Sequence, residues 1–337
     1  MHAITVPGAN SIRLKEHGHI LVFVVGVVRS GTSLLYALLN QHPGIALMYE
    51  SDVFGLPPFL SRARENWWLS RAELWNKSLS RHFGDAWPEA LPGVGDARAL
   101  YRAYAAQKGA AVYGEKCPFY CTKLPRLARK FPDARFIILR RDLSEVYGSI
   151  RDAGKTNRWF ARKGMFCRMI RQQNGLLSGC RKLEAKGIPL LYVDYSSLVD
   201  DTEKTMREVC QFLDLGFEPK MASLLGADFS PIDNVPHHSH LRSLEIRHRE
   251  KAEIDAPRLR NRVGRFQARA NRLSAGGRVA SESCPEPSFA ERTLFHVAGV
   301  YFSTLDQIVR WIYEAAPAPL LRQYRSLRGG FQTGATQ

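Results

Sequence analysis

HILVFVVGVVRSGTSLL, residues 19–35, passes in one sweep from a β-branched run to a glycine-bearing turn and on to leucines at helical spacing. The run His19–Val28 is apolar without interruption, which suits a central parallel strand covered on both faces. Leu34, Leu35, Leu38 and Leu39 recur as one face of a helix. Arg29, Ser30, Gly31, Thr32 and Ser33 form the turn between them. A strand that enters a helix through such a turn aims several backbone N–H groups at one spot. The helix N-terminus adds partial positive charge there, so the turn is built to hold a phosphate-like anion. Gly31 lets that anion approach the backbone, and Thr32 and Ser33 bring hydroxyl donors.

The spacing nearly fits the nucleotide-binding pattern GxxxxGK[ST]. Gly26, Gly31 and Ser33 match, but Thr32 stands where the lysine should be. That lysine contacts the terminal phosphates of a nucleoside triphosphate, so ordinary ATP or GTP hydrolysis is disfavoured.

Outward from this stretch, apolar runs alternate with helical patterns. Strands are expected at 44–49, 112–114, 135–139 and 190–193. Helices are expected at 124–131, 143–150, 202–213 and 301–315, with more helix over one sheet face within 55–110. The alternation predicts an α/β chain: a P-loop-type three-layer sandwich with a central parallel sheet and helical insertions. Residues 1–18 read as a leader and 19–230 as the core. Residues 231–337 read as a basic region completing the domain, with a Ser/Gly/Pro-rich loop near 274–288.

The chain has 48 basic and 32 acidic residues, a net charge of +16, which implies an anionic partner. Residues 151–186 hold ten basic residues against two acidic, and residues 241–272 ten against four. The six cysteines show no metal-ligand spacing and read as free thiols of a reducing compartment, with a Cys117–Cys121 bridge left open. His237, His238 and His240 read as a polar loop rather than a metal site. The run Ile20–Val28 is too short for a bilayer, which takes about 20 residues. A cytoplasmic location is expected, with peripheral membrane contact through a C-terminal helix bearing Trp311 and Tyr313 as a further expectation.

GVVRSGTSLL resembles the 5′-phosphosulfate loop of sulfotransferases, in the branch with RSGT loops that includes tyrosylprotein sulfotransferases and many bacterial relatives. The resemblance covers roughly residues 20–220. It implies 3′-phosphoadenosine-5′-phosphosulfate (PAPS) as cosubstrate, cradled by Arg29, Ser30, Gly31, Thr32 and Ser33, with no metal required. Glu50, at the end of the second strand, stands where that branch has a catalytic glutamate. A carboxylate there can take the acceptor hydroxyl's proton as it attacks, and His42 is the competing base. Lys116, in EKCPF, resembles the family's KxP lysine, which with Arg29 stabilises charge in flight. Glu115 replaces the usual Asn and is expected to lower the effective charge of Lys116.

FIILRRDLSEVYGSIRD resembles the family's 3′-phosphate site. Arg141 ends a strand and Ser149 follows eight residues later on a helix, a fork and a hydroxyl for one phosphate. Residues 191–195, with Phe212 and Leu213, also look like the family but read as packing without chemistry. In relatives a loop near Arg242 and Ser243 closes over the nucleotide.

The implied function is sulfuryl transfer from PAPS to an acceptor hydroxyl. A saccharide or glycolipid acceptor is expected, because the motifs look bacterial and the basic faces suit an anionic glycan. Peptide tyrosine or a small alcohol or phenol is the alternative. A P-loop nucleotide kinase, or a non-catalytic binder of nucleic acid or anionic membrane, would be the other classes. Thr32 weighs against the first. No nucleic-acid partner is expected, since no recognition helix or RNA-binding signature is present.

Overall fold

The structure, a computed structural model, describes residues 19–51, 82–83, 97–232, 244, 246, 257–274 and 286–315. The leader, the histidine loop, Arg242 and Ser243, most of the 274–288 loop and most of the 55–110 insertion lie outside them. Five parallel strands form one sheet in the order β2-β3-β1-β4-β5. They are β1 (Ile20–Gly26), β2 (Ile45–Tyr49), β3 (Val112–Lys116), β4 (Arg135–Arg140) and β5 (Leu190–Asp194). The helices are α1 (Thr32–Leu39), α2 (Ala97–Lys108), α3 (Leu124–Lys130), α4 (Leu143–Thr156), α5 (Met165–Glu184), α6 (Tyr195–Asp200), α7 (Thr202–Phe212), α8 (Pro257–Ser274) and α9 (Phe289–Ala315).

β1 is central, and its alternation divides the core in two. Leu21, Phe23 and Val25 face the side packed by α2, α3 and α5. Val22 and Val24 face the side packed by α1, α6 and α7. Phe23 is fully buried against the rings of Tyr101, Tyr120, Phe131 and Phe136, with centroids 5.6–6.1 Å away. Gly114, opposite Val22 in β3, has no room for a side chain. A Cβ there would lie 1.9 Å from the Val22 carbonyl oxygen.

Several expectations on extent are corrected. β3 runs on to Lys116, and α4 continues to Thr156. Most of the basic stretch 151–186 is the long helix α5, buried along one side by Met169, Ile170, Leu176 and Leu183. The amphipathic C-terminal helix begins at Phe289, twelve residues before the expected start. It packs against α5, and Phe295 joins Phe266 of α8 in the core. Among the described residues no helix is long and apolar enough to cross a membrane. Cys117, Cys121, Cys167, Cys180 and Cys210 are free thiols, so the 117–121 bridge is not formed. Burial pushes Cys121 and Cys180 up to about 12, which makes them poor nucleophiles.

Candidate active site

Parallel pairing brings the C-terminal ends of β2, β3, β1 and β4 side by side, and the site residues lie at or beyond those ends. The turn after β1 carries two left-handed residues on either side of Ser30, Arg29 at φ 67° and Gly31 at φ 105° as the N-cap of α1. Gly31 is required twice over: its conformation disfavours a side chain, and a Cβ would meet the Tyr195 ring at 2.5 Å. Ser30 is buried with its hydroxyl unpartnered. Thr32 and Ser33 open α1, both buried.

Arg29 links the turn to the expected 3′-phosphate pair. Its Nε donates to Ser149 Oγ at 3.2 Å, its carbonyl accepts from Arg141 Nη1 at 3.3 Å, and its guanidinium lies over Phe160 at 5.6 Å. Arg141 is nearly closed off from solvent. Its Nε donates to Glu145 at 3.0 Å, and its plane stacks on Tyr195 at 3.8 Å. Its Nη2 is buried without a partner. The preceding arginine goes elsewhere: Arg140 pairs with Asp194 across β4 and β5 at 2.7 Å. Asp142 caps α4, accepting from the Ser144 N–H at 2.8 Å.

The second group gathers behind the same turn. Lys116 is fully buried. Its Nζ donates to Glu50 Oε1 at 2.5 Å and to Ser33 Oγ at 3.1 Å, and it sits 3.6 Å from the centre of the Tyr49 ring. Ser33 Oγ and the Tyr49 hydroxyl are 3.0 Å apart. Burial lowers the Lys116 pKa, while the Glu50 carboxylate opposes that shift. Glu50 is itself left-handed, at φ 45°, and its N–H donates to the Lys116 carbonyl at 2.9 Å. Among the described residues, two of the four non-glycine residues with positive φ are therefore Arg29 and Glu50. Backbone strain of this kind concentrates at functional sites.

Arg29, Ser30, Gly31, Thr32, Ser33, Glu50, Lys116, Arg141 and Ser149 are thus brought to one end of the sheet. Ser33 differs in its engagement, since its hydroxyl serves Lys116 and Tyr49. His42 does not compete with Glu50. Its Nδ1 accepts from the Gly44 N–H at 2.9 Å and its Nε2 bonds the Gly216 carbonyl at 2.9 Å, so both ring nitrogens pin the turn before β2. Glu115 makes no ion pair with Lys116, because successive strand residues face opposite sides, but its charge still helps to raise the Lys116 pKa, after Glu50 and Cys117. The ion-pair partner of Lys116 is Glu50.

Five contributors carried no readable functional signal in the sequence. Tyr195, expected only to pack, stacks on Arg141 and walls Gly31. Gln172, from the middle of α5, accepts the Val28 N–H at 3.1 Å. Trp159 and Phe160 form an aromatic pair beside Arg29, with Phe119 meeting Trp159 edge-on at 6.0 Å.

The donor set fits PAPS. Ser30 Oγ and Arg141 Nη2 are buried polar groups with no protein partner, and a buried donor left unsatisfied costs about 1–3 kcal/mol unless a ligand completes it. Among the described residues no His, Cys, Asp or Glu cluster could hold a metal ion.

Comparison with known proteins agrees. The sulfotransferase family model matches residues 22–219. Protein-tyrosine sulfotransferase A of Caenorhabditis elegans is 26% identical over 233 residues, which are 65% of this chain and 56% of that protein. Protein-tyrosine sulfotransferase 1 of Danio rerio is 27% identical over 198 residues, 58% of this chain and 53% of that protein. The matches thus span little more than half of either relative. Among solved structures, the sulfotransferase domain from the curacin biosynthetic pathway superimposes with a TM-score of 0.53 at 15% identity, covering 80% of this chain and 99% of the domain. That likeness shows the fold. The chain belongs to the sulfotransferase family, and it is a transferase of the PAPS-dependent kind.

Proposed function

We propose that the chain sulfates the phenolic hydroxyl of a peptide tyrosine, using the loop 29–33 with Arg141 and Ser149 to hold PAPS and the Glu50–Lys116 pair to do proton and charge work. The observation that carries the chemistry is that pair: a buried ammonium and a partly exposed carboxylate 2.5 Å apart behind the anion loop. PAPS supplies the sulfuryl group. Glu50, the more open of the two, accepts the acceptor's proton. Protonation of Glu50 removes the negative partner of Lys116. The lysine's charge is then available to the departing oxygen. Arg29, tied to Ser149 and Phe160, holds the loop against the 3′-phosphate pair and adds a second fixed cation.

Two observations support a phenol over the saccharide or glycolipid expected from the sequence. The curated relatives are protein-tyrosine sulfotransferases. The aromatic cluster Phe119, Trp159 and Phe160 flanks Arg29 and the turn after Lys116, a wall suited to a flat ring. Phe160 also lines a cavity of about 650 Å³ whose charged residues are Arg151, Arg162 and the ion pair Lys155–Asp152, a net positive lining that suits a peptide with acidic neighbours.

The test is transfer of labelled sulfate from PAPS to a tyrosine peptide flanked by glutamates. The same peptide flanked by lysines, its phenylalanine counterpart, p-nitrophenol and a panel of saccharides serve as comparisons. The glutamate-flanked tyrosine should be labelled best. Labelling of saccharides without the peptide would overturn the acceptor assignment.

A further inference from the structure

Glu115 precedes Lys116 in β3 and points to the opposite face of the sheet, fully buried. A lone carboxylate in such a place would be costly, and it is retained with three hydroxyl donors. The Tyr101 hydroxyl donates to Oε2 at 2.5 Å and the Tyr120 hydroxyl to the same oxygen at 2.7 Å. The Ser51 hydroxyl donates to Oε1 at 2.8 Å. Tyr101 comes from α2 and Tyr120 from the short 3-10 turn Pro118–Thr122 after β3. Ser51 is the residue after Glu50. One side chain is therefore joined through the backbone to Lys116 and through a hydrogen bond to the neighbour of Glu50.

The geometry of the Glu50 turn gives that link a purpose. Glu50 is held in the left-handed region, which its own conformational preference opposes. Strain of this kind persists only where surroundings over-determine it. On one side the Glu50 N–H donates to the Lys116 carbonyl at 2.9 Å. On the other, Ser51 is anchored to Glu115, which two tyrosines fix in turn. Without the second tie the turn could relax, and the Glu50 carboxylate would swing from Lys116 Nζ.

We propose that Glu115 is a positioning residue for sulfuryl transfer: through Ser51 it holds the Glu50 turn so that the carboxylate meets Lys116. This rests on the roles assigned above to Glu50 and Lys116. Glu115 touches neither acceptor nor cosubstrate in this scheme.

Ser51→Ala cuts the one link and leaves the buried carboxylate with both tyrosines. It should lower kcat about tenfold with the KM for PAPS nearly unchanged, since misplacement of a reacting group by about 1 Å is costly. It should also move the titration of Lys116, followed by NMR of protein labelled with 13C-lysine, to lower pH. Glu50 is the chief group raising the Lys116 pKa, with Cys117 and Glu115 next, so a displaced Glu50 leaves burial less opposed. Ser51→Thr, which keeps the hydroxyl, should restore both readouts. Glu115→Gln should lower kcat as well, but because it also removes a charge near Lys116, Ser51→Ala decides. The inference is overturned if Ser51→Ala leaves kcat and the Lys116 titration at wild-type values, or if it lowers only thermal stability. The NMR readout needs no acceptor, so a wild-type enzyme that ignored tyrosine peptides would refute the acceptor assignment and leave this test standing.

Discussion

Adenosine 3′,5′-bisphosphate should bind far more tightly than AMP, and Arg141→Ala should erase the difference. The magnitude follows from the surroundings of the guanidinium. Its side chain is only 5% exposed, so solvent screens little of its interaction with a phosphate. Glu145 and the Arg29 carbonyl already engage Nε and Nη1, whereas Nη2 is buried and unpartnered. One or two charge-assisted hydrogen bonds of about 1.5–3 kcal/mol each are thus open to a 3′-phosphate. A total of about 3 kcal/mol corresponds to roughly a hundredfold in Kd. Isothermal titration calorimetry of bisphosphate and AMP, on wild type and variant, measures the ratio directly. AMP serves as internal control, since it lacks only the phosphate in question. Arg141→Lys should fall between, about tenfold, because an ammonium keeps the charge but not the fork. Because Arg141→Ala strands Glu145, Arg141→Ala/Glu145→Ala should show the same loss of discrimination. A bisphosphate-to-AMP ratio that survives Arg141→Ala would refute the placement of the 3′-phosphate.

Two shorter predictions concern the same wall. Tyr195→Ala removes the ring stacked on Arg141 and should weaken bisphosphate binding by about tenfold, a desolvated cation–π contact being worth about 1–2 kcal/mol, with circular dichroism unchanged. Gly31→Ala puts a Cβ 2.5 Å from that ring at a positive φ and should abolish measurable bisphosphate binding, checked by the same calorimetry.

Much of this architecture is legible in the chain because its central strands are buried on both faces. Such strands read as unbroken β-branched runs, as β1 and β4 do, and a glycine turn after one of them announces the anion loop. The family resemblance singled out Arg141 and Ser149, and the structure brings both to Arg29 because one lies just past a strand end and the other about two turns along the following helix. Less legible was whatever depends on which side of a strand a residue faces when the strand's end is unknown. β3 was expected to stop at Gly114, so Glu115 and Lys116 read as one loop pair of opposed charge. Their alternation within an extended strand separates them, and it gives Lys116 to Glu50 instead. Tyr195 and Gln172 could not be found by pattern. They reach the loop from β5–α6 and from mid-α5, across 164 residues in sequence for Gly31 and Tyr195 and 144 for Val28 and Gln172, and only the closed fold sets those distances.

The strained Glu50 turn makes a prediction in which two effects oppose each other. Replacing Glu50 by glycine relieves a left-handed residue, worth about 1 kcal/mol. It also deprives a fully buried ammonium of its carboxylate, and breaking a buried pair costs about 3–5 kcal/mol. Glu50 is 29% exposed, which puts the loss at the lower end of that range. The balance is net destabilisation of about 2 kcal/mol at neutral pH, with Glu50→Ala about 1 kcal/mol worse because it keeps the strain. The pH dependence has a definite sign. Lys116 already titrates below 10.5 in the folded chain because of burial, and loss of Glu50 lowers it further. Between that lowered value and 10.5 the folded state binds fewer protons than the unfolded one, so stability rises with pH across the window. The deficit against wild type should therefore be full below the variant's folded pKa for Lys116 and shrink as pH climbs from there to the higher wild-type folded pKa, as the variant's lysine sheds the charge that lacks a partner. Urea unfolding of wild type, Glu50→Ala and Glu50→Gly at pH 7 and at alkaline pH gives both the ranking and the slope. Equal stability of the alanine and glycine variants would remove the strain from the argument. A deficit that did not shrink at alkaline pH would show that Glu50 is not what compensates Lys116.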